Sequence, residues 1–423
     1  MADLRQQIAS AVEASRDDLV SFIQTLVRFP SLANDEGPVQ EIIQDKLESL
    51  GLDTEKILVR FDKLKDHPGF SDDGFSPDSR VNVMGQWHND GGGRSLILNG
   101  HVDVVPTGPE NLWNKSPWSG SVKNGRIYGR GSCDMKAGLG AGIFAVQVLQ
   151  SIGFKPDGNI MIQSVVGEES GGCGTLTNIV KGYSADAAVI LEPTSLKICP
   201  IQSGALTFRL TIPGRATHAA MRWDGVSAIE KFNLIHQSII KFEKERHDSF
   251  NVTYFESRDR VAPINIGTIK GGEWHSTVPE SVVAEGRFGV FPSETTRNAR
   301  DAFEDHISEI SNNDPWLKDN PPVVEWFEGQ FESGQTDPEH PVIDKLMASH
   351  LTATGYAPII EGVTYGSDLR LFTNHAHIPA VLFGPGDVRL AHAANEYVEI
   401  EEVLTSVKVV ANMIVNWCGG TFD

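Results

Sequence analysis

The sequence predicts an α/β catalytic domain, with a mixed but mostly parallel sheet and helices on both faces, interrupted by an inserted α+β unit. Three observations carry this reading. Short apolar runs rich in Val and Ile end in motifs that bear acids or histidine. These runs alternate with helical periodicity as far as residue 203. Beyond it, Leu206-Thr207-Phe208-Arg209-Leu210-Thr211-Ile212 alternates apolar and polar residues. A continuous apolar run fits a strand buried on both faces of a parallel sheet. Strict alternation fits an antiparallel strand with one face in solvent.

The elements follow in order. Leu4, Ile8, Val12, Leu19, Phe22, Ile23, Leu26 and Val27 recur at helical spacing and predict one amphipathic helix over residues 3–28. Pro38 to Leu50, with Gly51 behind it, is a second helix, with proline near its start and glycine past its end. Residues 57–95 are rich in Asp, Gly, Pro and Ser and read as loops around short strands such as Arg80–Met84. Buried strands follow at Leu96–Gly100, Ile160–Gly167 and Ala187–Leu191, with a small-residue helix over 135–152. In the inserted unit, strands are expected at 206–212, 264–269, 282–290 and 323–327, and helices at 225–246 and 296–311. The first domain resumes with a helix at 341–355, a strand at 381–384 and a terminal helix at 400–416. The expected domains are 1–203 with 333–423, and 204–332.

Bulk composition narrows the function. A chain of 423 residues is long for one core. Lys plus Arg number 36 against 56 Asp plus Glu, a net charge of −20, which argues against nucleic acid or an anionic membrane as partner. Cys133, Cys173, Cys199 and Cys418 form no CxxC pair, as expected of a reduced, cytoplasmic protein. The start shows no basic and apolar leader, and no run of about 18 apolar residues is present. The sequons Asn114-Lys115-Ser116 and Asn251-Val252-Thr253 therefore carry little meaning.

The chemistry lies at the ends of the apolar runs, because open α/β sheets bind ligands beyond the carboxyl ends of their strands. Leu96–Gly100 leads into His101-Val102-Asp103. A metal-bound imidazole usually donates its second N–H to a carboxylate or carbonyl, and His-x-Asp can supply both groups. Glu168-Glu169 ends the next run, and two adjacent carboxylates repel unless a cation sits nearby. The pair is followed by Ser170-Gly171-Gly172-Cys173-Gly174, which reads as a loop that lets backbone come close to a ligand. Adjacent residues point to different places, so one can bind metal while the other faces substrate. Glu192, locked by Pro193, brings a third carboxylate to the same edge. Asp134, in Gly129-Arg130-Gly131-Ser132-Cys133-Asp134-Met135-Lys136, reads either as a helix N-cap or as another ligand. The combined set of N and O donors suits Zn, Co or Mn. Several carboxylates can share two such cations and leave one free as a general base.

These residues resemble the M20 family of metallopeptidases and deacylases, which includes acetylornithine deacetylase and succinyl-diaminopimelate desuccinylase. The resemblance runs from about residue 15 to the C-terminus. It is carried by Gly100-His101-Val102-Asp103, Gly129–Lys136, Gly167-Glu168-Glu169, Glu192-Pro193-Thr194 and Ala391-His392-Ala393-Ala394-Asn395-Glu396, in the family's order. It implies that two divalent metal ions, Zn foremost with Co or Mn as alternatives, are bound. His101 and Glu192 would hold one, His392 and Glu169 the other, and Asp134 would bridge them. Glu168 would be the general base acting on a bridging water, and Asp103 would orient His101. The insert would be a lid that mediates a homodimer. His218, in Gly214-Arg215-Ala216-Thr217-His218-Ala219, would stabilise the oxyanion. Without the resemblance, His218 reads as a helix-start histidine bonded locally. Asn265 and Arg287 resemble substrate-carboxylate contacts, and Arg287 suits that task because its fork matches a carboxylate. Tyr365-Gly366-Ser367-Asp368 and Gly384-Pro385-Gly386 resemble substrate-side loops, so Gly366 and Ser367 are candidate contacts. Ser276-Thr277-Val278-Pro279 departs from the family pattern, in which Asn often precedes Val-Pro.

Other motifs are set aside. His375-Ala376-His377 has nothing to place it at the strand edge. Gly138-Leu139-Gly140-Ala141-Gly142 lacks the last glycine of a dinucleotide fingerprint and has no strand directly before it, so close helix packing is expected. Neither HExxH nor GxSxG occurs, against a zincin or an α/β-hydrolase. The expected function is cleavage of the amide of an N-acyl amino acid or related small amide. A dipeptidase or carboxypeptidase, or an N-formyl or N-carbamoyl amine hydrolase, is the alternative. A non-catalytic metal-binding scaffold and a two-metal phosphoesterase are the rivals from other classes.

Overall fold

The computed structural model describes residues 2–76, 79–89, 91–251 and 253–422. Val252, in the second sequon, lies outside them. The chain divides into two compact units. The first comprises Met1–Pro200, Gln335–Glu361 and Ser367–Asp423. The second comprises Ile201–Gly334 and Gly362–Gly366.

The first unit is built on a mixed sheet. Its strands run in the order Asp53–Leu58, Val81–Trp87, Ile160–Val165, Leu96–His101, Ala188–Ile190 and Ala380–Leu382. The three central pairings are parallel. The pairings of Val81–Trp87 with its two neighbours are antiparallel. Leu96–His101 and Ile160–Val165 are buried along their whole length, as strands covered on both faces must be. Their register sets His101 opposite Val165 and Asn99 opposite Ile190, so three carboxyl ends finish nearly level.

Helices supply the cover. The helix Ala137–Ser151 packs Leu139, Ile143 and Phe144 into one core with Leu19, Ile23, Val407, Val410 and Ile414. Its glycines are packing devices, as the sequence implies. A methyl group at Gly138 would run into the carbonyl oxygen of Leu191, and one at Gly140 would press on Ile23.

Three sequence expectations need correction. The stretch 3–28 is two helices, Ala2–Ala14 and Arg16–Arg28, divided at Ser15. Ser15 leaves the helical region (φ −92°, ψ 2°), and its hydroxyl donates to the Ala11 carbonyl. The Gly-rich stretch after Glu169 leads directly into a helix, Cys173–Lys181. Asp134 is not an N-cap, because it sits in irregular backbone (φ −118°, ψ 101°) three residues before its helix begins.

The second unit is a four-stranded antiparallel sheet in the order Ile264–Gly271, Ser281–Val290, Gly204–Pro213, Val323–Phe331. Burial alternates residue by residue along Gly204–Pro213. Leu206, Phe208, Leu210 and Ile212 face a core shared with Ile235 and Ile239 of helix Ala228–Ser249 and Phe303 and Ile307 of helix Thr296–Asn312. The opposite face carries the Arg209–Glu285 ion pair and Arg287. Among the described residues of the chain, no helix is long and apolar enough to cross a membrane.

Candidate metal centre

The level strand ends of the first unit bring four acids around one imidazole. His101 is the last residue of its strand, Glu168 follows Val165 by three residues, and Glu192 follows Ile190 by two. His101 Nε2 lies 3.1 Å from Asp134 Oδ1, 3.8 Å from Glu168 Oε2 and 3.9 Å from Glu192 Oε1. His392 arrives from the loop before the last helix. Its Nε2 lies 3.0 Å from Glu169 Oε2 and 3.5 Å from Asp134 Oδ2. The two oxygens of Asp134 thus face different imidazoles. Two donor triads are close enough to share an ion: His101, Asp134 and Glu169, and His101, Glu168 and Glu192.

The electrostatics are those of a site short of positive charge. Burial lifts Glu168 and Glu192 well above the usual carboxylate range, and neighbouring acids add to it. Burial also raises Glu169. Burial would raise Asp134 too, but bonds from His101 and His392 outweigh it and hold that carboxylate low. Burial opposes charge on His101, yet the bond to Asp134 and the surrounding acids keep its pKa well above the ordinary value. His392, bonded to Asp134 and Glu169, rises to about 10. Among the described residues, the cationic groups within 4.0 Å of these four acids are the two imidazoles. Buried carboxylates in such number need cations. The donor set of imidazole nitrogen and carboxylate oxygen therefore fits two divalent ions.

A second layer holds these donors. The carbonyl of Asp103, rather than its carboxylate, takes the Nδ1 proton of His101 at 2.9 Å. The Asp103 carboxylate lies 3.7 Å from that nitrogen and instead accepts the backbone N–H groups of Glu168 (3.3 Å) and Glu169 (3.1 Å). Ser170 is tied to Asp73, which pairs with fully buried Arg80, which pairs in turn with Glu36. Gly172 adopts φ 76°, and a side chain there would collide with Asp368. Asp368 is fully buried beside the cluster, and burial raises its pKa to about 6 against the pull of Thr175 and Arg370. Arg370 donates to the carbonyls of Gly69 and Gly171, fastening the loop that follows Glu168-Glu169.

Ser367 is buried in this unit, where its hydroxyl accepts the Leu369 N–H. The other sequence candidates belong to the second unit. His218 precedes the turn Ala219–Asp224, and its Nδ1 accepts the Ala220 N–H at 3.1 Å. Asn265 and Arg287 stand opposite each other on neighbouring strands. Arg287 Nη2 donates to the Thr364 carbonyl at 2.7 Å. Gly366 packs against the Phe331 ring. His375 stacks edge-on against His67, with ring centroids 5.2 Å apart, and belongs to neither donor triad.

Sequence reading missed the supporting roles of Asp368 and Arg370. Both lie in or beside a motif it singled out, and nothing but that proximity pointed to them.

The chain has relatives among known proteins. A profile of "Peptidase family M20/M25/M40" matches residues 97–416. The chain is 32% identical to N-formyl-4-amino-5-aminomethyl-2-methylpyrimidine deformylase of Bacillus subtilis (strain 168), over 98% of each chain. It is 25% identical to acetylornithine deacetylase of Myxococcus xanthus, over 97% of this chain and 98% of that one. Among solved structures, the di-peptidase Dug1p from Saccharomyces cerevisiae superposes with a TM-score of 0.78 at 15% identity, covering 99% of both chains.

Proposed function

The chain belongs to peptidase family M20/M25/M40 and is a metallo-amidohydrolase, and on that premise we propose that it removes the formyl group from the amine of a small aminomethyl heterocycle. The observation that carries the choice of substrate is the 32% identity to the pyrimidine deformylase over 98% of each chain, against 25% to the deacetylase. An N-acyl amino acid is the second reading. Arg287 favours it, since a guanidinium suits a substrate carboxylate.

We assign His101 and Glu192 to one cation and His392 and Glu169 to the other, with Asp134 between them. Two bound divalent cations supply a polarised carbonyl and a more acidic water. The chain's own groups do the rest. Glu168 is buried and held near His101, and its raised affinity for protons suits a group that must take one from water and hold it until the leaving nitrogen needs it. It removes a proton from the attacking water and returns it to the leaving nitrogen. Asp103 keeps Glu168 aimed by bonding its backbone N–H. His218 is assigned the oxyanion. Its Nδ1 accepts a backbone N–H, so in the neutral ring the proton resides on Nε2 as a donor. It acts from its own chain or from a second copy. Zn is the preferred metal, with Co and Mn as alternatives. A homodimer through the second unit and a cytoplasmic location complete the reading. All four cysteines are free and buried, in keeping with that location.

The test is a substrate panel with Zn-, Co- and Mn-loaded protein: the formylated aminomethylpyrimidine, acetylornithine, succinyl-diaminopimelate and a dipeptide. The formyl compound should give the highest kcat/KM. A higher value for acetylornithine would move the assignment to the second reading.

A further inference from the structure

We propose that Glu396, with Arg130, is a positioning residue that locks the Asp134 backbone to the His392 loop and thereby sets the affinity for the cation on the His392 side. This inference rests on the ligand assignment above.

Glu396 follows His392 by four residues and is buried. Its Oε1 accepts the backbone N–H of Cys133 at 2.9 Å and that of Asp134 at 3.3 Å. Its Oε2 accepts Arg130 Nη1 at 2.5 Å. Arg130 also donates to the carbonyls of Ala393 (3.4 Å) and Pro106 (3.1 Å). The Glu396 carbonyl accepts the Gly129 N–H at 3.0 Å. One buried ion pair therefore joins the segment that carries His392, the segment that carries Asp134, and the chain just beyond His101.

The two cation positions depend on this clamp unequally. His101 and Glu192 stand at the ends of strands paired in the sheet. Asp134 and His392 stand in irregular backbone, Asp134 at φ −118° and His392 at φ 59°. Ligands on paired strands are held by the ladder, whereas ligands on loops need a second layer. The cation on the His392 side would lose support at both loop-borne ligands, whereas the other shares only Asp134 with it, so loss of the clamp falls on the His392-side cation first.

The experiment uses Glu396→Gln, which keeps an acceptor oxygen but removes the charge facing Arg130. Mn²⁺ binding to the metal-free full chain is followed by calorimetry and by the exchange-coupled electron spin resonance signal of a filled pair. Wild type should bind two ions and show the coupled signal. In the variant, one step should weaken about 10–100-fold, the other clearly less, and the coupled signal should fade at concentrations that saturate wild type. In a background of His392→Gln, Glu396→Gln should cause no further loss. Arg130→Lys, which keeps the charge and loses the fork, serves if the first variant does not fold, with the same expectation. Two unchanged steps, or two steps weakened equally, overturn the inference while leaving the ligand assignment standing. Wild type that binds fewer than two ions overturns the ligand assignment itself.

Discussion

Loading the metal-free protein with two divalent cations should release about two protons at pH 8. A His ligand must be neutral to bind metal, and both imidazoles are held protonated by the acids around them. His392 has its pKa raised to about 10 by Asp134 and Glu169, so its ring is about 99% protonated at pH 8. His101 is fully buried, bonded to Asp134 and flanked by Asp103, Glu168 and Glu192, and it too lies well above its ordinary value. Each ring gives up one proton. Glu192, lifted by burial, can add part of a third. Solvent screening at half-exposed His392 weakens the effect, but a pKa even one unit lower leaves the ring about 90% protonated at that pH. The assay is calorimetry of Zn²⁺ binding in two buffers of different ionisation enthalpy, whose difference reads the proton count. His392→Gln should lower the count by about one. Release of less than about one proton by wild type would refute the reasoning, because it would mean that the imidazoles are neutral or are not ligands.

Further expectations follow from the same geometry. The metal-free protein should lose thermal stability as pH rises from about 6.5 to about 10, while the loaded protein does not. A histidine whose folded pKa is raised stabilises fully below its unfolded value and loses that contribution as pH passes through the folded value, and burial-raised Glu168 and Glu192 act in the same direction. A stripped protein with flat stability over that window would contradict this. Glu168→Gln should lower kcat by about 10²–10⁴-fold with both ions retained by elemental analysis, and near-normal turnover would remove Glu168 from its role. His218→Ala should lower kcat by about 10²–10³-fold and leave Zn²⁺ affinity unchanged, and weakened Zn²⁺ binding would place His218 elsewhere in the chemistry. Gly138→Ala should lower unfolding free energy by about 1–3 kcal/mol in denaturant titration, since the added methyl runs into the Leu191 carbonyl. An unchanged midpoint would count against that close approach.

The parts of this molecule that were legible in sequence are those whose cause is local. Leu96–His101 and Ile160–Val165 announce themselves because strands buried on both faces must be apolar throughout. The acids that follow them stand out because nothing else in such runs is charged. The break at Ser15 was hidden because Leu4 to Val27 keep their helical spacing across it. The helix Cys173–Lys181 was hidden behind glycines that read as a loop. The place of 362–366 in the second unit was hidden for another reason. Those residues are fixed by partners far away in sequence, as when the Val363 carbonyl accepts the Ser203 N–H and the Thr364 carbonyl accepts the Arg287 guanidinium. Asp103 was half legible. Its proximity to His101 is a matter of spacing, but which of its oxygens serves the ring depends on where the Glu168-Glu169 backbone comes to lie.

That last point separates two kinds of buried acid in this site. Asp103 and Glu396 each accept two backbone N–H groups, and Glu396 also faces Arg130. Their oxygens are taken up by donors of the protein itself, which leaves them little to offer a metal ion, although burial still raises Glu396 to about 7 against the pull of Arg130. Glu168, Glu169 and Glu192 are answered within the described residues by two imidazoles, and those imidazoles are shared with Asp134. A buried carboxylate without donors is unfavourable by several kcal/mol and responds by holding a proton. The fold therefore spends its backbone donors on the supporting acids and leaves the inner acids short of positive charge. Two divalent cations resolve that shortage, and a metal-free chain can do so only by taking up protons. Affinity for cations and the raised proton affinity of Glu168 then have one physical origin: the exclusion of water from an acidic strand edge.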